Sequence, residues 1–175
     1  MRRLSLSLHA GLIVGGLCGL SACHKPPAAP AAAAERLFPA VAAGDPRVAN
    51  QLVAGFYGIE AGAWRWTGQQ FAILLGVPQD AMRRGGNLSL RVTVPPVIIE
   101  KLGSTTLSAS VGGTAMPSQT YTKPGEYTYQ CEIAPALLTG GTVKADFRLE
   151  RVMPPAGADA RELGIIVQRA SLESK

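Results

Sequence analysis

The sequence predicts an all-β domain, an antiparallel β-sandwich, from three features of the chain beyond Gly55. Apolar residues recur at every second position, and about seven or eight short runs of that kind are separated by Gly and Pro pairs. No long helical period or nucleotide-binding glycine motif competes with them. The clearest run is 87–94, where Leu88, Leu90, Val92 and Val94 alternate with Ser89, Arg91 and Thr93, so that one face is buried and the other is wet. Further runs are 69–75, 97–101, 105–111, 126–133, 143–151 and 163–172. Turn signals fall between them at Gly85-Gly86, Pro95-Pro96, Gly112-Gly113, Pro124-Gly125, Gly140-Gly141 and Pro154-Pro155. Short strands punctuated in this way stack as two antiparallel sheets. Ahead of them, 40–43 and 47–54 are expected to add a short helix.

The N-terminus reads differently. Arg2-Arg3 and the largely apolar run 4–20 have the charged and apolar regions of a secretory signal, with small residues before the expected cut. Leu20-Ser21-Ala22-Cys23 resembles the lipobox of bacterial lipoproteins, which implies cleavage after residue 22, lipidation of Cys23 and attachment to a membrane. The competing reading is an uncleaved membrane helix, since the run approaches the roughly 20 residues that span a bilayer. Two or three acyl chains, at about 0.8 kcal/mol per buried methylene, hold a protein at a membrane in a way one short chain does not. His24 follows the cysteine where an aspartate in that family signals inner-membrane retention, so the resemblance implies the outer membrane. Residues 23–49, rich in Pro and Ala at the start, are expected to be a tether that holds a domain of residues 50–175 away from the lipid.

Charge and side-chain inventory exclude several classes. Removing Arg2 and Arg3 from the 17 Lys and Arg leaves 15 against 12 Asp and Glu, a net +3 that is scattered rather than striped, so no nucleic-acid partner is expected. Of the three cysteines, Cys18 lies in the signal and Cys23 is the lipid site, which leaves Cys131 without an intramolecular disulfide partner. It sits in the apolar phase of its strand, as a small hydrophobe would. His9 and His24 both precede the domain, which removes the usual Ser-His-Asp chemistry and most transition-metal sites. No cofactor and no metal site are expected, and no catalytic residue is assigned.

Three stretches carry a resemblance to a known family. Gly55-Phe56-Tyr57-Gly58-Ile59-Glu60 leads into Trp64-Arg65-Trp66-Thr67, and Asp159-Ala160-Arg161-Glu162-Leu163-Gly164-Ile165 enters the last strand. Together they resemble the small galactose-binding-like β-sandwich found beside glycosyltransferase and methyltransferase domains of bacterial polysaccharide synthesis. The resemblance covers most of 55–172 and implies a jelly-roll sandwich in an envelope or surface-glycan setting.

The candidate ligand-binding residues are Tyr57, Glu60, Trp64, Arg65, Trp66, Asp159 and Arg161. Trp64 and Trp66 are two apart, so on a strand they share one side while Arg65 points to the other. Such a pair is either a platform for a sugar ring or part of the core. Glu60, Arg65, Asp159 and Arg161 are either a clamp between the ends of the sandwich or a polar cluster that reads sugar hydroxyls. The clamp reading expects Arg161→Ala to unfold the domain. The functional expectation is a lipid-anchored, non-catalytic envelope module on the periplasmic face of the outer membrane that binds a glycan. The alternatives are a structural lipoprotein that binds an envelope protein and a glycoside hydrolase using two of Glu60, Glu100, Glu126, Glu132 and Asp159.

Overall fold

The structure, a computed structural model, describes residues 37–175. The signal, Cys23, His24 and the first part of the tether lie outside the described residues. Within them run β1 (Ala40–Ala42), β2 (Leu52–Phe56), β3 (Arg65–Gly76), β4 (Gly86–Val94), β5 (Thr105–Val111), β6 (Thr114–Tyr121), β7 (Gly125–Ile133), β8 (Thr142–Leu149) and β9 (Ile166–Ser174). Two short helices, α1 (Ala81–Arg84) and α2 (Pro96–Leu102), and two 3-10 turns, Pro46–Gln51 and Pro135–Leu137, connect them.

All the strand pairs are antiparallel. One sheet has the order β1-β9-β4-β7 and the other the order β3-β8-β5-β6, with β2 added beyond β3. With β2 added to the eight strands of these two paths, nine strands form the expected antiparallel β-sandwich of jelly-roll type. Strand β3 stitches the sheets together. Its first residues, Arg65 and Trp66, pair with Val167 and Ile166 of β9, and from Gln70 to Gly76 it pairs with β8.

The period-two pattern explains the core. Leu88, Leu90, Val92 and Val94 of β4, Phe71, Ile73 and Leu75 of β3, and Phe147 and Leu149 of β8 are buried between the sheets. Phe71 stacks on Phe147 with centroids 5.0 Å apart, and Tyr129 of β7 meets Phe147 edge-on at 6.2 Å. Cys131 is a buried free thiol whose pKa is raised by burial. Tyr129 donates its hydroxyl to the Pro117 carbonyl at 2.7 Å, whereas the Tyr121 hydroxyl is buried without a partner among the described residues. Tyr129→Phe is therefore expected to cost about 1 kcal/mol in urea denaturation. Tyr121→Phe should cost nothing or stabilise, because it removes only an unsatisfied group.

Several expectations require correction. The run 97–101 is helix α2, not a strand. Pro96 stands at the first helical position and Gly103, at φ +74°, ends the turn, and these start and stop signals outweigh the β-branched residues between them. Residues 40–43 do not form a helix, since Ala40–Ala42 pair with Ser171, Ala170 and Arg169 of β9. The segment 47–54 divides into a 3-10 turn and the start of β2, because Asp45 caps the turn with a bond from Arg47 N at 2.9 Å. The chain from Leu37 to Ala49 therefore belongs to the folded unit rather than to the tether. Buried Gln51 holds it there, accepting from Phe38 N at 3.0 Å and donating to the carbonyls of Phe38 and Leu74 at 2.9 and 2.8 Å. Strand β6 was not expected. It is an edge strand, mostly exposed, so it has no alternation to show, and an edge tolerates Pro117.

Candidate functional site

The stretches 55–67 and 159–165 meet at one end of the sandwich. Their meeting follows from the pairing of β3 with β9, because the corner at Thr67 is locked to the strand leading into β9. Thr67 N donates to the Ile165 carbonyl at 3.0 Å, and Gly164 N donates to the Thr67 carbonyl at 2.7 Å. The approach is too close for a side chain at residue 164: a Cβ there would lie 2.9 Å from the Gly68 carbonyl oxygen and 2.8 Å from Thr67 Oγ1. Glu162 completes the corner by accepting from Gln69 N at 2.7 Å.

On this corner stand two loops. The first folds back at Glu60, whose N–H donates to the Trp64 carbonyl at 2.9 Å across a turn in which Ala61 and Gly62 are both left-handed. The second doubles back between Met153 and Leu163. Arg161 joins them. Its Nη1 lies 2.7 Å from Glu60 Oε1, and its Nε and Nη2 form a fork on Asp159 at 3.0 and 2.9 Å. The guanidinium also sits 5.3 Å above the Tyr57 ring, within reach of a cation–π contact. Glu60, Asp159, Arg161 and Tyr57 are thus brought together as one cluster.

Arg65 is not part of it. Its guanidinium donates to the carbonyls of Ala43 and Tyr57, both at 2.8 Å, and so fastens backbone on the other side of β3. Trp64 and Trp66 are both half-buried, with centroids 6.4 Å apart and planes at 77°. Trp66 packs against the core, while Trp64 lies beside the cluster through its turn with Glu60. The pair is edge-to-face, so it presents one indole rather than a flat platform of two. Thr67 and Glu162 were not singled out from the sequence, although both lie in the quoted stretches. Their role is to bond backbone, for which a residue type by itself is no signal.

Electrostatics favour the clamp. The Arg161 guanidinium, together with the Arg161 backbone N–H, lowers the Asp159 carboxyl from 3.8 to about 2. The same Asp-x-Arg fork recurs at Asp45 and Arg47 on the turn before β2, which marks it as a way of holding a turn. Yet Arg161, Glu60 and Asp159 keep 36, 35 and 39% of their side-chain surface open to water. Ion pairs this exposed contribute little to stability, so Arg161→Ala is expected to loosen the two loops and lower the unfolding midpoint by a few degrees rather than unfold the domain. The depressed Asp159 pKa stabilises the fold above pH 4, and that contribution is lost as pH falls from about 4 toward 2. Titration of the Asp159 carboxyl by NMR should give a midpoint near 2, returning to the ordinary carboxylate range in Arg161→Ala.

Hydrolysis of a glycosidic bond by two carboxylates needs one that holds its proton and one that is ionised. A general acid must hold its proton at working pH, and Asp159 has lost its own well below it. The other carboxylates considered are scattered: Glu126 pairs with Arg91 at 3.1 Å, Glu132 with Lys175, and Glu100 lies on α2. Among the described residues no group of three or more His, Cys, Asp and Glu is gathered for a metal.

No protein-family model matches the chain, and no curated protein does. Among solved structures, a family GH115 4-O-methyl-α-glucuronidase with specificity for decorated arabinogalactans has a TM-score of 0.49 at 10% identity, over 85% of this chain and 19% of that one. A CBM36 carbohydrate-binding module in complex with calcium and xylotriose has a TM-score of 0.41 at 12% identity, over 77% of this chain and 98% of that one. A family 35 carbohydrate-binding module from Clostridium thermocellum has a TM-score of 0.44 at 12% identity, with the same coverage of 77% and 98%. The chain spans about a fifth of the length of the glucuronidase.

Proposed function

We propose that this protein is a non-catalytic, glycan-binding module, anchored through lipid on Cys23 to the periplasmic face of the outer membrane. The observation that carries the glycan reading is the half-buried Trp64, held edge-on by Trp66 and joined by a tight turn to the ion-paired cluster of Glu60, Arg161 and Asp159. An indole supplies an apolar face for a sugar ring, and carboxylates with a third of their surface open accept hydrogen bonds from its hydroxyls. The low Asp159 pKa argues against Asp159 as the general acid of a hydrolase. Binding of an envelope protein by strand addition has less support, since edge strand β6 carries Pro117 and edge strand β7 carries Glu126 and Glu132.

Trp64 and Trp66 are the two tryptophans of the chain, so its fluorescence reports on this corner alone. Titrating the full chain in detergent with envelope polysaccharides should give a saturable shift with protection from iodide. Trp64→Ala should lower that affinity at least tenfold, about 1.4 kcal/mol, with the fold intact. An unchanged affinity in Trp64→Ala would place the ligand elsewhere. Labelled palmitate should enter the chain in cells and fail to enter Cys23→Ala.

A further inference from the structure

A second candidate site lies away from the loop cluster, on the outer face of the sheet β2-β3-β8-β5. A groove of about 490 Å³ is sunk into that face, within the size range of small-molecule sites. Strand register builds it from two rows. Gln70, Arg148 and Ser108 stand side by side on β3, β8 and β5, and Ala72, Asp146 and Ser110 form the next row. These residues alternate with Phe71, Phe147 and Ala109, which point into the core. Ala72 shows how deep the floor is, being only 3% exposed although it faces outward. Ala54, paired with Ala72, continues the floor onto β2.

The polar groups along this groove differ in how they are satisfied. Lys144 and Asp146 are paired at 2.6 Å. The side chains of Arg148, Gln70, Ser108 and Ser110 make no hydrogen bond or ion pair among the described residues. A guanidinium with all five donors unspent, flanked by an amide and two hydroxyls, is matched to a ligand that carries a carboxylate among many hydroxyls. Phe71 and Phe147 also border the floor but are 2 and 3% exposed, their rings turned to the core, so the floor offers methyl groups and a neutral sugar has no open ring face to stack on. Recognition has to come from charge-assisted hydrogen bonds.

We propose that this groove binds an acidic saccharide, with Arg148 taking the uronate carboxylate and Gln70, Ser108 and Ser110 taking ring hydroxyls. Neighbouring strands are about 4.8 Å apart, so the row from Gln70 to Ser108 is roughly as wide as one sugar ring and its substituents. The site is independent of Trp64 and does not rest on the loop-end reading.

The test is calorimetric titration of the full chain in detergent with trigalacturonate, with galactotriose, sodium acetate and inorganic phosphate as parallel arms. Trigalacturonate should bind saturably, and the three others should not. Arg148→Ala should weaken it at least tenfold, Arg148→Lys should restore only part of that, and Ala54→Leu, which fills the floor from an exposed position, should abolish it. Trp64→Ala should leave it unchanged, which separates this site from the loop end. The proposal is overturned by absence of trigalacturonate binding, by equal binding to Arg148→Ala, or by galactotriose binding as tightly. Equal affinity for acetate or phosphate would also overturn it, since the groove would then hold a simple anion.

Discussion

Phe147→Ala is expected to lower the unfolding free energy by about 3–5 kcal/mol, measured as a shift of the urea midpoint at constant slope. Phe147 is 3% exposed at the middle of β8. It stacks on Phe71 of its own sheet and receives Tyr129 edge-on from the opposite one, so its ring is where the two layers are packed onto each other. Truncation loses the transfer energy of the ring and the aromatic contacts, and it leaves a cavity that two hydrogen-bonded sheets cannot close. A domain whose whole stability is about 5–15 kcal/mol loses a large part of it. Phe147→Leu, which keeps most of the volume, should lose much less. A loss below about 1 kcal/mol in the alanine variant would mean that the layers are not packed through this ring.

Gly55→Ala should cost about 2–4 kcal/mol and release β2 from β3. Two independent penalties act there. Gly55 has φ +71°, a left-handed conformation that costs a residue with a Cβ about 1–2 kcal/mol. A Cβ at this position would also lie 1.8 Å from the Gln70 carbonyl oxygen, which is backbone and cannot swing aside. The close approach has a structural cause: Leu52 faces Ile73 while Phe56 faces Thr67, so β3 carries extra residues opposite β2 and bulges toward it. Amide hydrogen exchange should show loss of protection in Leu52–Phe56 while β4 and β9 keep theirs. Because Ala54 floors the proposed acidic-saccharide groove, the same variant should weaken trigalacturonate binding. Full protection of β2 in Gly55→Ala would contradict the observed crossing.

The sandwich was legible because period-two burial is a local property. Leu88 to Val94 alternate whatever their neighbours, and a strand half in water and half in a core needs that pattern. The Pro and Gly that bound α2 were equally local, yet three consecutive apolar residues, Val97 to Ile99, resembled a fully buried strand until packing showed Ile98 alone fully inside. Strand β6 was hidden for the opposite reason. An edge strand with both faces largely wet has no pattern to impose.

The strand period, the turn positions and the residue types of the loop cluster, an Asp-x-Arg, a glutamate and two tryptophans, are local properties of the chain. Long-range packing is what brings Arg161 to Glu60 across 101 positions, spends Arg65 on backbone carbonyls, and leans Trp66 on the core while Trp64 flanks the cluster. It also decided that Gln70, Arg148 and Ser108 form one row. Alternation is set residue by residue along a strand, whereas strand order and register are set by the burial of both sheets at once, and a shift of one residue would turn every one of these side chains to the other face.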